Sequence, residues 1–211
     1  MASKGVLTVI SGFSGVGKGT VMKQLLSKYD HYRLSVSATT RKPRPGETHG
    51  VEYFFLTKEE FQSMIENDGF LEWAQYVDSY YGTPREYVEN ILEQGHDIIL
   101  EIEMQGALQV KKQYPQALLL FIVPPDFETL KERLYGRQTE GEATILKRLA
   151  RCYEEAEVVK SYDYMVVNDE VDNCVEKINE LIVNEHKKPI YNIDVIEEIK
   201  ENAKKIRDQI F

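Results

Sequence analysis

Short apolar runs alternate along the chain with segments whose apolar residues recur every three or four positions. Val6–Ser11 (VLTVIS) is a β-branched run of the kind a buried strand requires. After the loop Gly12–Gly17, the residues Val21, Met22, Leu25 and Leu26 give Lys18–Tyr29 a helical period. Leu34–Ser37 reads as a second strand, and residues 38–50 (ATTRKPRPGETHG) as an irregular loop rich in Thr, Arg, Pro and Gly. Val51–Leu56 is expected as a strand, Lys58–Asn67 as a helix and Phe70–Val77 as another strand. This aromatic-rich stretch, 38–83, reads as a small lobe inserted between the halves of a core.

The core pattern then resumes. A helix is expected from Thr83-Pro84 to about Gln94, stopped by Gly95. Asp97–Ile102 follows as strand, Gln105–Gln113 as helix and Ala117–Val123 (ALLLFIV) as a fully buried strand. Asp126 caps the helix after Pro124-Pro125, which runs to about Leu134. Tyr135–Glu142 reads as a hinge-like loop, Ala143–Val159 as a long helix, Tyr164–Val167 as strand and Val171–Glu185 as helix. Strands alternating with helices imply an α/β fold whose parallel sheet is covered on both faces. Lys187-Lys188-Pro189 breaks the pattern. Beyond it, Ile193, Ile196, Ile199, Ala203, Ile206 and Ile210 form a helical stripe, and Asp194-x-x-Glu197 matches a capping box. That tail helix is expected to pack on its own core.

Composition narrows the class. The 211 residues suffice for one core with small inserted lobes, and 42% hydrophobic with 29% charged residues is ordinary for a soluble globular chain. No apolar run approaches the length of a membrane span, and the N-terminus lacks a signal-peptide pattern, so the expectation is cytosolic. Cys152 and Cys174 lie in separate helical patterns without a C-x-x-C, and His31, His49, His96 and His186 are scattered, so two thiols in a reducing compartment are expected rather than a disulfide or metal centre. The net charge of −9 conceals an asymmetry: residues 1–46 carry eight Lys/Arg and one acid, Asp30. Basic charge gathered beside a glycine-rich loop in an acidic protein suits a small anion, while a pI of about 5.1 and the lack of an extended basic face disfavour nucleic acid.

Gly12-Phe13-Ser14-Gly15-Val16-Gly17-Lys18 fits the phosphate-binding signature G-x-x-x-x-G-K, in the strand–loop–helix setting that signature needs. Glycines let successive backbone N–H groups turn toward phosphate oxygens, the following helix points its positive end at them, and Lys18 adds a mobile ammonium. Position 19 is Gly rather than the usual hydroxyl, and Thr20 comes one later. The loop specifies a nucleoside triphosphate and leaves the reaction open.

The loop variant G-x-S-G-x-G-K-G-T, followed by Ser35–Arg44 (SVSATTRKPR), closely resembles the guanylate kinases. The likeness continues through Gly50–Phe55 (GVEYFF), Phe70–Ala74 (FLEWA), Tyr80–Thr83 (YYGT), Leu100–Gly106 (LEIEMQG), Arg133–Arg137 (RLYGR) and Val167-Asn168-Asp169, in order over about residues 5–186. It implies a P-loop kinase core with a parallel sheet flanked by helices (1–37 and 84–186), a small α+β GMP-binding lobe (38–83), a short lid (about 135–148) and a tail outside the domain (187–211). The implied reaction is ATP-dependent phosphorylation of GMP, and of dGMP, with Mg²⁺ and with small-molecule substrates alone. By the same likeness, Gly12 to Thr20 with Arg133, Arg137 and Asn168 would bind ATP. Lys18, Arg41, Arg137 and Arg148 would carry the transfer. Ser37, Arg41, Arg44, Tyr53, Glu72, Tyr81, Thr83 and Glu103 would line the GMP site, and Thr20 and Glu101 would reach Mg²⁺ through water.

These assignments make chemical sense. Guanine offers N–H donors at N1 and N2 that carboxylates accept, and guanidinium forks match phosphate oxygens. Phe13 departs from the family's common proline, Glu101 and Glu103 stand where some members have aspartates, and Gln138 replaces a lid glycine. Two competing readings are a non-catalytic peptide-binding module and a kinase with another acceptor. Lys18, Arg137 and Arg148 argue against the first, and Glu72 with Glu103 against the second.

Overall fold

Residues 4–136 and 141–210 are described by a computed structural model, in which the chain builds two sheets. The first half supplies β1 (Leu7–Gly12), α1 (Lys18–Lys28), β2 (Tyr32–Leu34), β3 (Ser37–Thr39), β4 (Tyr53–Phe55), α2 (Lys58–Glu66), β5 (Phe70–Tyr76), β6 (Ser79–Pro84) and α3 (Arg85–Glu93). The second supplies β7 (Asp97–Glu101), α4 (Met104–Gln113), β8 (Leu118–Val123), α5 (Phe127–Gly136), α6 (Glu142–Val158), β9 (Tyr164–Val167), α7 (Val171–Glu185) and α8 (Ile193–Ile210).

The larger sheet has the order β2-β7-β1-β8-β9, all parallel. Its central strands are apolar on both faces because helices cover both. Val6 and Ile10 join a cluster with Val21 and Leu25 of α1 and Val175 and Ile178 of α7. Leu7 and Val9 join the opposite cluster with Val88 and Leu92 of α3 and Val110 of α4. This arrangement places the end of β1, and the loop after it, at the middle of the carboxyl edge of the sheet, where ligands bind in open α/β folds.

The smaller sheet runs β4-β3-β6-β5 and is drawn from residues 37–84. Ala38 and Phe70 pack with Phe61 of α2, and Phe54 and Tyr80 border them. Strand alternation therefore turns Ser37, Tyr53 and Tyr81 to the other face.

The structure corrects several expectations. Leu34–Ser37 is no single strand: β2 ends at Leu34 in one sheet and β3 begins at Ser37 in the other, so the chain changes sheets across Ser35-Val36. Residues 37–39, expected as strand end and loop, pair with β4 and β6. Ser79–Pro84 is a strand, and the helix expected from Thr83 starts at Arg85. Tyr135 and Gly136 extend α5 rather than the hinge loop. Asp126 does cap α5, accepting the Thr129 N–H at 2.7 Å. The tail is a helix but does not pack on the core: every residue of α8 is exposed, and it starts at Ile193, so Asp194 lies in its first turn instead of capping it.

Candidate active site

The loop is shaped by local sterics. Gly15 and Gly17 have φ of 94° and 97°, and a Cβ on Gly15 would meet Leu134 Cδ2 at 2.5 Å, so this path is closed to other residues. Gly17 is the N-cap of α1 and brings no side-chain cap to its first turn. Phe13 does not project freely among phosphates. Its ring meets Phe121 edge-on at 5.1 Å, and its N–H donates to the Ile122 carbonyl at 3.3 Å. The aromatic pins the loop to β8, a packing role that the proline it replaces would fill by fixing φ.

From Gly12 to Gly19 the loop lines a cavity of about 200 Å³, with Glu101, Glu103, Arg148, Arg151 and Glu155 on its other walls. Arg148 Nε donates to Ser14 Oγ at 2.9 Å. Glu155, only 3% exposed, accepts the Ser14 N–H at 3.4 Å. Burial pushes its carboxyl above the ordinary glutamate range, while the Ser14 amide, Arg151 and Lys18 pull it down. Arg151 lies between two carboxylates, 3.9 Å from Glu155 and 3.7 Å from Glu103.

On the small sheet, a bulge decides the chemistry. Phe70 pairs with Pro84 and Glu72 with Thr83, so Leu71 is an extra residue in β5. Phe70 and Glu72 would share a face in a regular strand. The bulge instead sends Phe70 to the α2 cluster and Glu72 to the face of Thr83, whose hydroxyl donates to Glu72 Oε1 at 2.6 Å. Glu72 is 7% exposed, and burial raises its carboxyl above the ordinary value against the pull of the Thr83 hydroxyl and amide. Gly106, in the first turn of α4, makes room for it: a Cβ there would stand 2.6 Å from Glu72 Oε2.

The phosphate loop, helix α6 with Arg148 and Arg151, and a buried carboxylate on the small sheet are joined by sequence likeness along the chain. Residues 4–185 match the guanylate kinase family. The chain belongs to that family. It is 50% identical over 200 residues to a guanylate kinase of Caldanaerobacter subterraneus subsp. tengcongensis, covering 95% of this chain and 97% of that one. It is 51% identical over 187 residues to one from Latilactobacillus sakei, covering 88% and 92%. A crystal structure of guanylate kinase from Anaplasma phagocytophilum superposes with a TM-score of 0.67 at 30% identity, covering 89% of each chain. The α/β fold with its flanked parallel sheet is that of a guanylate kinase, and the chain is a kinase by family.

Residues expected from the family likeness fall into groups. Gly12 to Gly19, Lys18, Glu101, Glu103 and Arg148 line the cavity together. Thr20 does not: Gly19 takes the position next to Lys18, and one further residue of helix turns Thr20 outward, where it is exposed. Arg133 and Asn168, expected at ATP, grip the loop from behind. Arg133 Nη1 donates to the Val16 carbonyl at 3.0 Å, Asn168 Nδ2 to the same oxygen at 2.8 Å, and Arg133 Nη2 to the Asn168 carbonyl at 2.9 Å. Arg137 and Gln138 lie outside the described residues.

Ser37, Tyr53, Tyr81, Thr83 and Glu72 share the open face of the small sheet. Arg41 joins them, its guanidinium 5.3 Å from the Tyr53 ring and paired with both Glu47 oxygens at 2.9 and 3.0 Å. Glu47 also accepts the Arg44 N–H at 2.7 Å, while the Arg44 side chain is exposed. Glu103 belongs to the loop cavity; it is the N-cap of α4, one turn before the Gly106 against which Glu72 packs.

Sequence reasoning missed Glu47, Arg151 and Glu155. The signal for the last two was present: Arg148, Arg151 and Glu155 are spaced by three and four residues, which sets them on one face of a helix.

Proposed function

We propose that the chain transfers the γ-phosphoryl group of ATP to GMP, and to dGMP, giving ADP and the nucleoside diphosphate. The observation that carries this reading is Glu72, a buried carboxylate held on an open sheet face by Thr83 and Gly106. It accepts from guanine N1–H and N2–H, a donor pair that adenine lacks.

The division of labour follows from the chemistry. In this reading residues 38–83 form the acceptor lobe, residues around 135–148 the lid, and the rest of 1–186 the core. Arg41, Arg44, Tyr53, Tyr81 and Ser37 hold the GMP phosphate, and Arg41 leaves Glu47 to do so. The loop amides and Lys18 hold the β- and γ-phosphates, and Arg148 and Arg137 neutralise the group in flight. A GMP phosphate oxygen bonds to the γ-phosphorus as the bond from that phosphorus to the bridging oxygen breaks, and ADP leaves with that electron pair. The attacking oxygen is already anionic, so no general base is required. Closure of lobe and lid excludes water, which would otherwise accept the phosphoryl group.

Among the described residues no cluster of three or more His, Cys, Asp or Glu is arranged to hold a metal. Mg²⁺ therefore fits as an ion brought with the nucleotide, and Glu101 at the end of β7 would meet it through water. It would supply charge neutralisation across the β- and γ-phosphates. Thr20, being turned outward, fits that role less well. No helix among the described residues is long and apolar enough to cross a membrane, and we place the reaction in the cytoplasm, in purine nucleotide metabolism.

The test is ADP release in a coupled assay with GMP, dGMP, AMP, CMP or UMP as acceptor. Turnover with GMP and dGMP alone is expected; a folded protein that turns over another acceptor as fast would overturn the reading.

A further inference from the structure

Helix α4 packs beside β5, the outermost strand of the small sheet. An edge strand carries backbone N–H and C=O groups that no neighbouring strand satisfies. At Trp73 a side chain satisfies them instead. The Trp73 N–H donates to Gln109 Oε1 at 3.2 Å, and Gln109 Nε2 donates to the Trp73 carbonyl at 3.3 Å. A primary amide donates and accepts at once, so Gln109 meets both groups as a further strand would.

The neighbours of Trp73 give this contact its weight. Leu71 is fully buried in a cluster with Ala107 and Val110 of α4. Glu72 has Oε1 on the Thr83 hydroxyl of β6 and Oε2 facing Gly106 of α4. Two separate elements therefore set this carboxylate, and its oxygens keep their direction only while those elements keep their spacing. The apolar contact of Leu71 is non-directional and leaves that spacing loosely defined. The Gln109 pair is directional and lies one residue from Glu72. Arg85 holds the start of the same strand independently, donating to the Asp68 carbonyl at 2.8 Å and the Phe70 carbonyl at 3.2 Å.

Direction is what guanine asks of Glu72. Accepting N1–H and N2–H together needs both carboxylate oxygens in line with the edge of the base, whereas a single N–H tolerates a rotated carboxylate.

We propose that Gln109 is a positioning residue for guanine recognition: by pairing with the Trp73 backbone it fixes Glu72 in the orientation that accepts both donors at once. The inference deepens the function proposed above and rests on Glu72 as the guanine acceptor. Gln109 acts through β5 and touches neither substrate, so its effect falls on base selectivity and not on the phosphate loop.

The test is calorimetric binding without turnover, comparing GMP with inosine monophosphate, whose base keeps N1–H and lacks the 2-amino group. Gln109→Leu removes both hydrogen bonds at similar size. It should weaken GMP ~10-fold and inosine monophosphate less than ~3-fold, narrowing the selectivity between them, while ADP binding changes less than ~2-fold. Gln109→Met, a second variant without the amide, should narrow it equally. Because Leu71 and Arg85 keep the strand docked, both variants should unfold at the wild-type denaturant midpoint. Gly106→Ala displaces the same carboxylate, so combining it with Gln109→Leu should cost less than the product of the two separate effects.

Wild-type selectivity in both variants, equal weakening of all three ligands, or fully multiplicative effects with Gly106→Ala would each overturn the proposal. A wild type that binds GMP without phosphorylating it would sink the activity alone, and the same titrations would still decide the role of Gln109. A wild type that does not bind GMP would sink both.

Discussion

The carboxylate of Glu155 stands 3.4 Å from the Ser14 amide, so a buried anion occupies one donor of a loop built for phosphate. An incoming triphosphate must displace it against like-charge repulsion, with Arg148 and Arg151 beside it to compensate. Glu155→Gln keeps the shape and removes the charge. The KM for ATP should fall roughly 3- to 10-fold, on the order of 1 kcal/mol, when initial rates are measured at saturating GMP. A KM that rises instead would mean that Glu155 assists nucleotide binding.

Glu72 predicts a pH dependence. Its carboxyl is raised above 4.5 chiefly by burial, and only the ionised form accepts both guanine donors. The kcat/KM for GMP should therefore fall at acid pH along a limb that lies above 4.5, and Glu72→Gln should abolish that limb while lowering the plateau by ~100-fold. The stability sign is opposite. The folded state binds the proton more tightly than the unfolded chain, so this group favours folding at low pH and loses that contribution as pH rises through its folded value. Thermal melts across the same range should show the Gln variant gaining on the wild type as pH rises. Parallel pH profiles for both proteins would remove Glu72 from guanine recognition.

Glu72 also marks where the sequence was legible and where it was not. The central strands β1, β7 and β8 were readable because they are apolar on both faces and bounded by Gly, Pro and Asp, whereas the edge strand β2, with Arg33 and Leu34 exposed, was not. The phosphate loop was readable because its sterics admit almost no other residues. The small sheet was harder: β3 is only three residues long and is defined by partners farther along the chain, in β4 and β6. No local pattern distinguishes Ser37–Thr39 from loop. The bulge at Leu71 is invisible for the same reason, since a register shift belongs to a pair of strands. Glu155 was missed because a buried glutamate on a long charged helix looks like one more solvated acid.

Gly106 tests whether Glu72 must sit where it does. A methyl group there would stand 2.6 Å from Glu72 Oε2, and the carboxylate must move. Gly106→Ala should raise the KM for GMP ~10-fold while that for ATP changes less than 2-fold, because alanine in a helix costs nothing locally and Glu72 lies away from the loop. Equal losses for both substrates would show that the effect spreads through α4.

The grip on Val16 makes the last prediction. Its carbonyl receives Asn168 Nδ2 at 2.8 Å and Arg133 Nη1 at 3.0 Å, and Arg133 is tied in turn to the Asn168 carbonyl. Either donor alone keeps the oxygen satisfied. Removing both leaves a buried acceptor without a partner, which costs more than the loss of two ordinary hydrogen bonds. Arg133→Met and Asn168→Ala should each cost ~1 kcal/mol in denaturant unfolding, and the double variant ~3 kcal/mol, a coupling of ~1 kcal/mol. Amide exchange in residues 13–18 should quicken in the double variant without ATP present. If Arg133 instead acts on the triphosphate, its removal will depress kcat while leaving both the melt and the loop's exchange unchanged, and the two effects in the cycle will simply add.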